Sequence, residues 1–443
     1  MERHLMAELK AWQSTPGRKP LILMGVRQTG KTYLLEQFGR TCFRQYHILN
    51  FEGQEQARSL FEGNLDPKHI IENLRFYLKT DIDIQKDLVI FDEIQACPKA
   101  LTSLKYFCEN MPELALCSAG SLLGLHLNEG AYPVGKVDIK HLYPMTFFEF
   151  LNGIGDKWAA EYLHNIHLDS HLPEAIHQQL WDRLKHYFIC GGMPEVVATF
   201  DKEKENLYRA TTAIRTKQNE LINGYYADIA KHAGKINAMH IDRTWRAIPK
   251  QLSETQDGSI NRFKFKGIIP NVNRYSQLVN VIDWLDSADL VIKVPIVNHV
   301  EQPLKAFAKE NMFKLMIFDV GILGALSGLS PEAILSYDYG TYKGYFAENF
   351  VAQQMVAKQN QRIFNWQQDH AEIEFLFEHK GNIIPIEAKS GKITQAKSLE
   401  KYIKTFSPKY SVIFSANPIY HSQNNAVLRL PLYLAERMSE FIQ

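Results

Sequence analysis

The chain has 443 residues, which at roughly 150 residues per domain predicts about three domains. A composition of 45% hydrophobic and 22% charged residues is that of a globular protein with more than one core, and the near-balance of charge excludes an acidic disordered chain. Fifty Lys plus Arg against 49 Asp plus Glu leave a net charge of +1, which excludes a uniformly basic nucleic-acid-binding chain but not a basic face on one part.

Charges interrupt every apolar run in residues 1–10, so no signal peptide is expected there. No apolar run approaches the roughly 20 residues that span a bilayer, and no membrane contact is expected. The five cysteines form no C-x-x-C pair and read as reduced thiols in a cytoplasmic setting.

The first chemical signal follows a short apolar run at residues 20–24, suited to a buried parallel strand. Gly25-Val26-Arg27-Gln28-Thr29-Gly30-Lys31-Thr32 comes next and fits G-x-x-x-x-G-K-[ST] without deviation. Glycine at 25 and 30 lets the backbone curl so that its N–H groups face a phosphate chain. A helix over residues 33–38, with Gly39 as its stop, aims its positive end at the same anion. Lys31 is expected on the β/γ-phosphates of ATP and the Thr32 hydroxyl on Mg²⁺.

Residues 87–93 read as a second apolar strand ending in Asp92-Glu93. Asp92 is expected to hold Mg²⁺, and Glu93 to polarise the attacking water as general base. A third strand over residues 114–121 ends in small polar residues, where Ser118 or Ser121 is placed to sense the γ-phosphate.

Residues 158–229 are mostly helical in pattern, and Gly191-Gly192 with Pro194 marks a helix stop and restart. Residues 231–266 hold eight basic residues and three acids, with Trp245, Phe263 and Phe265 between them. A helix, a turn at 256–258 and an alternating strand at 263–266 are expected, followed by a helix at 276–288. Such a segment suits DNA, or equally a solvated basic face or a protein partner.

A helix over residues 344–355 puts Glu348 on an apolar face with Val351, Ala352 and Met355, so its carboxylate needs a partner. Residues 371–378 and 383–389 flank a hairpin turn. A turn at 380–381 pairs position 374 with 387, and a turn at 381–382 pairs it with 389. Either register sets Glu374, Glu387 and Lys389 on one face, with Glu372 on the face of Glu374. Two carboxylates that close call for a cation, either Lys389 or Mg²⁺.

Several of these segments resemble a prokaryotic AAA-type P-loop ATPase family. The resemblance is carried by the phosphate loop, Asp92-Glu93-Ile94-Gln95, Leu142-Tyr143-Pro144-Met145, Gly191-Gly192-Met193-Pro194-Glu195, the run from Lys314 to Asp319-Val-Gly321, and Ile386-Glu387-Ala388-Lys389. It implies an α/β chain with a parallel-sheet ATPase core at 1–150 and a helical connector at 151–230. A winged-helix-like domain at 231–333 and a restriction-endonuclease-like domain of unclear role at 334–443 follow. It also implies ATP and Mg²⁺ as cofactors, and either work as a homo-oligomer in which one subunit lends a cation to its neighbour or, through the middle domain, action as a monomer or dimer. Lys136 stands where relatives often carry arginine, and lysine lacks the bidentate fork. By the same resemblance the C-terminal residues are similar to a PD-(D/E)xK nuclease: Glu348, Glu374 and Glu387 would hold a second Mg²⁺ and Lys389 would activate water. Glu374 stands there in place of the usual Asp.

Overall fold

The computed structural model describes residues 1–120, 133–253, 262–359, 361–392, 395–420 and 427–442, with the backbone alone at 232, 235, 236 and 253. The chain divides into two compact units, one of residues 2–143 with 287–289, the other of 144–286 with 290–443 and Met1.

The first unit is built on five strands: β1 (Leu21–Met24), β2 (Tyr46–Asn50), β3 (Leu88–Asp92), β4 (Ala115–Ala119) and β5 (Asp138–His141). They are all parallel, in the order β2-β3-β4-β1-β5. Side chains alternate between two cores, because successive residues of a strand point to opposite faces. Ile22, Leu49, Val89 and Phe91 enter one core, and Leu21, Leu23, Leu88 and Ile90 the other. This explains why β1 and β3 read as unbroken apolar runs. The helix after the phosphate loop, Lys31–Cys42, passes through Gly39 instead of ending there. A Cβ at Gly39 would lie 2.6 Å from Cβ of Tyr46, so this glycine lets β2 approach and is not a stop signal.

The second unit begins with helices Phe147–Gly153, Lys157–His164, Glu174–Cys190, Pro194–Glu203 and Leu207–Ala233. The expected break is present: Gly191 closes one helix at φ 68° and Pro194 opens the next. Asp319 joins this break to a distant segment. Its carboxylate accepts the Gly192 N–H at 2.6 Å and caps helix Val320–Ser327 by accepting the Ile322 N–H at 3.0 Å.

Helices Lys235–Ser253 and Tyr275–Ser287 follow. The expected turn at 256–258 lies outside the described residues. Residues 262–265 form no strand. Phe263 stacks on Phe313 and Phe265 packs edge-on to it, so ring contacts hold this segment in place of a ladder.

Seven strands then form a mixed sheet in the order β12-β11-β10-β9-β8-β6-β7. They are β6 (Val291–Val297), β7 (Ala308–Ile317), β8 (Phe364–Gln368), β9 (Ala371–His379), β10 (Asn382–Ala388), β11 (Ser411–Ser415) and β12 (Val427–Pro431). One sheet therefore runs across position 334. Helix Lys397–Phe406 packs Leu399 and Tyr402 against Trp366, Ile373 and Leu376. Among the described residues no helix is long and apolar enough to cross a membrane.

Candidate functional site

Strand β1 lies between β4 and β5, and the chain leaves β1 for β2 beyond β4 but leaves β4 for β5 on the other side of β1, so the connections change direction here. Crevices at such points, beyond the C-terminal strand ends, are where open α/β sheets take ligands. The loop of residues 25–30 starts here. Gly25 sits at φ 143°, and a Cβ on it would fall 2.2 Å from the Leu142 carbonyl oxygen. Gly30 and Gln28 also take positive φ, at 88° and 65°. The loop is braced from within by the Thr29 hydroxyl, which donates to the Val26 carbonyl at 2.8 Å. It is braced from outside by Arg3, which donates to the Thr29 carbonyl at 2.9 Å and to the Tyr143 carbonyl. Arg27 lies 3.6 Å from Glu52.

Lys31 is buried, and its Nζ donates to the carbonyls of Gly25 and Val26 at 2.8 and 2.9 Å. Burial pushes its pKa down to about 8, against the pull of Glu93 and Asp92. The Thr32 hydroxyl donates to Oδ1 of Asp92 at 2.9 Å, and Asn50 Nδ2 donates to Oδ2 at 2.9 Å. Burial raises the Asp92 pKa above the usual carboxylate value. A hydroxyl and a carboxylate in contact at the mouth of a glycine-lined loop are the donor set that Mg²⁺ beside phosphate requires, so the residues fit that group.

Glu93, just past β3, takes the left-handed conformation at φ 51° and ψ 46°. A non-glycine residue there is strained, and such strain gathers at functional sites. Gln95 donates its amide to Oε2 of Glu93. Of the two serines, Ser118 is fully buried within β4, and Ser121 lies outside the described residues. Lys136 is held by Glu109 at 2.9 Å.

The sequence gives no role to Arg3, Asn50 or Gln95. Gln95 had a signal in the motif itself; Arg3 and Asn50 are brought to the loop only by the fold.

In the second unit the hairpin uses the turn at Lys380-Gly381, because His379 pairs with Asn382. This selects the register that sets Glu374 opposite Glu387. Lys389 Nζ reaches Glu374 at 3.1 Å and Glu387 at 2.8 Å. A second lysine repeats the device. Lys314 on β7 is buried and meets Glu348 and Glu372, each at 3.0 Å.

Burial raises the Glu374 pKa, and the nearby Glu387 charge adds to it. Burial opposes charge on both lysines, yet Glu348 and Glu372 around Lys314, and Glu374 and Glu387 around Lys389, outweigh it and raise both pKa values. Glu348, Glu374 and Glu387 thus do not meet as three ligands. Among the described residues no cluster of three His, Cys, Asp or Glu side chains could hold a metal ion. The sequence offered a signal for Lys314, a lone charge in the apolar run 313–318.

In the basic segment, Trp245 and Phe263 are buried in the core, and Trp245 donates to the Leu290 carbonyl.

Residues 17–151 match the family model described as an AAA domain. Residues 182–333 match Domain of unknown function (DUF8612), and residues 343–433 match Domain of unknown function (DUF4143). Comparison with curated proteins found no match. Among solved structures, the Aeropyrum pernix ORC1 protein in complex with DNA is 14% identical at a TM-score of 0.26, over 76% of this chain and 93% of that one. Drosophila ORC bound to DNA aligns at 14% identity and 0.26 over 74% and 94%, and C. elegans PCH-2 at 14% and 0.26 over 50% and 61%. At these values nothing about ligand or activity is carried over from them.

Proposed function

We propose that the AAA domain this chain carries at residues 17–151 binds ATP with Mg²⁺ and hydrolyses it, and that nucleotide state moves the rest of the chain. The observation that carries this reading is the meeting of Lys31, the Thr32–Asp92 pair and Glu93 at the C-terminal edge of β1 and β3. Residues 25–30 present backbone N–H groups to the phosphates, and Lys31 turns from the Gly25 and Val26 carbonyls to the β/γ-phosphates. Thr32 and Asp92 would hold Mg²⁺, which would supply positive charge against the phosphates. Glu93 accepts the proton of the attacking water, and Gln95 keeps the carboxylate in position. Lys136 would have to leave Glu109 before serving a neighbouring copy in a homo-oligomer. Equilibrium binding of a fluorescent ATP analogue tests the site: Lys31→Ala should lose it. Binding at wild-type strength by Lys31→Ala would contradict the assignment.

The middle of the chain, winged-helix-like in its order of helices followed by strands β6 and β7, is the natural contact for DNA or a protein partner. The C-terminal part serves as a non-cleaving element of this switch, since two lysines already supply the cations its four glutamates call for. A second reading, an ATP-gated metal-dependent nuclease, draws on the convergence of Glu374, Glu387 and Lys389. Incubation with plasmid, Mn²⁺ and ATP separates the two. Cleavage by the wild type that Lys389→Ala abolishes would establish the nuclease, and no cleavage is expected.

A further inference from the structure

Residues 266–273 run beside the middle of helix Lys235–Ser253 and form with it an open cleft of 680 Å³, lined among others by Arg243, Arg246, Lys266, Gly267, Asn271 and Asn273. We infer that this cleft grips the phosphodiester backbone of duplex DNA. It deepens the proposed DNA contact of the middle segment by naming its site and the form of its ligand.

Charge is the first argument. The lining holds three cations and no carboxylate. Asp242 on the same helix pairs with Arg246 at 2.8 Å, while Arg243 and Lys266 are exposed and have no ion-pair partner among the described residues. The segment 262–274 that forms the far wall carries four basic residues and no acid. An anion entering here displaces counterions and breaks no existing pair of Arg243 or Lys266.

Rigidity is the second. Gln251 on the helix is locked to the far wall by two bonds with the Lys264 backbone, donating to its carbonyl at 2.7 Å and accepting its N–H at 2.9 Å. Phe263 stacks on Phe313, and its N–H bonds the Phe313 carbonyl at 2.9 Å. Arg243 and Lys266 are therefore mounted on two walls fixed to each other, so little order is lost on binding.

The aromatic side chains select the form of nucleic acid. Proteins that hold single strands stack bases on exposed aromatic rings. Here Trp245 is 0% and Phe263 6% exposed, and no aromatic residue lines the cleft. What remains is a contact to backbone phosphates, which a duplex presents without exposing its bases.

Fluorescence anisotropy of the full chain with a short fluorescein-labelled DNA duplex, without nucleotide, tests this apart from ATP hydrolysis. Binding should weaken steeply with salt. The double variant Arg243→Gln/Lys266→Gln should bind about tenfold more weakly and lower the salt slope by about two. Lys404→Ala, an exposed charge on helix Lys397–Phe406, should bind as the wild type does. Equal melting temperatures would show that the double variant folds. Duplex protection of Lys266 from amine acylation in the wild type reads the contact without any variant. Binding of an RNA duplex at similar strength would support the backbone contact. No binding at low salt, preference for the single strand, a double variant equal to wild type, or no protection of Lys266 would overturn it.

Discussion

Lys31 sits where burial and charge oppose one another. With its pKa at about 8 against the ordinary 10.5, the folded protein binds this proton less tightly than the unfolded chain does. The stability this group contributes therefore rises with pH between those values. Phosphates arriving at Nζ would restore the charge, so ATP binding above about pH 8 should take up a proton and weaken as pH rises. Calorimetry in buffers of different ionisation enthalpy checks this; proton release would contradict it. In the proposed mechanism Gln95 acts through Glu93, so Gln95→Ala should lower kcat by more than it changes KM, with Gln95→Asn recovering part of the loss. That residues 25–32 and Asp92-Glu93 lie together was legible in the sequence, because the proposed chemistry needs fixed residue types at fixed spacing. Arg3 and Asn50 were not, because an arginine on a loop carbonyl or an asparagine on a carboxylate has no pattern along the chain. The aromatic residues of the basic segment misled for a related reason: Trp245 and Phe263 pack inward, and only their charged neighbours face solvent.

Elements show the same division. The hairpin at 371–388 was readable down to two registers, and Lys380-Gly381, both at positive φ, selects one. Gly191-Gly192 and Asp319 were two separate motifs in the sequence, and the fold makes them one device. A Cβ on Gly191 would lie 2.0 Å from Asp319 Oδ1. Asp319→Ala would leave the N–H groups of Gly192 and Ile322 buried without their acceptor, which costs about 2–5 kcal/mol. Thermal or urea melts measure it, and a loss below about 1 kcal/mol would refute the capping role. Burial raises the Asp319 carboxyl from 3.8 to about 6. Its folded form thus holds the proton more tightly than the unfolded chain does. The stabilisation is complete below pH 3.8 and is lost as pH rises through about 6, a dependence that Asp319→Ala should lack.

Across the whole chain, a net charge of +1 conceals two opposed regions of the second unit, a basic cleft and a partly buried cluster of four glutamates with two lysines. The pairing of Lys314 with Glu372 was hidden because β7 and β9 lie far apart in sequence, and only the folded sheet brings these side chains within 3.0 Å. Lys389→Ala would leave Glu374 and Glu387 facing each other, and breaking such a buried pair costs about 3–5 kcal/mol. Added Mn²⁺ should raise the melting temperature of that variant more than that of the wild type; an equal shift would mean that lysine and metal do not compete for one position.

In the proposed mechanism Glu93 serves hydrolysis and not binding. The direct measurement is ATP binding and phosphate release by Glu93→Gln beside the wild type. Binding should persist while release falls by a factor of about 10² or more. Phosphate release at the wild-type rate would contradict it.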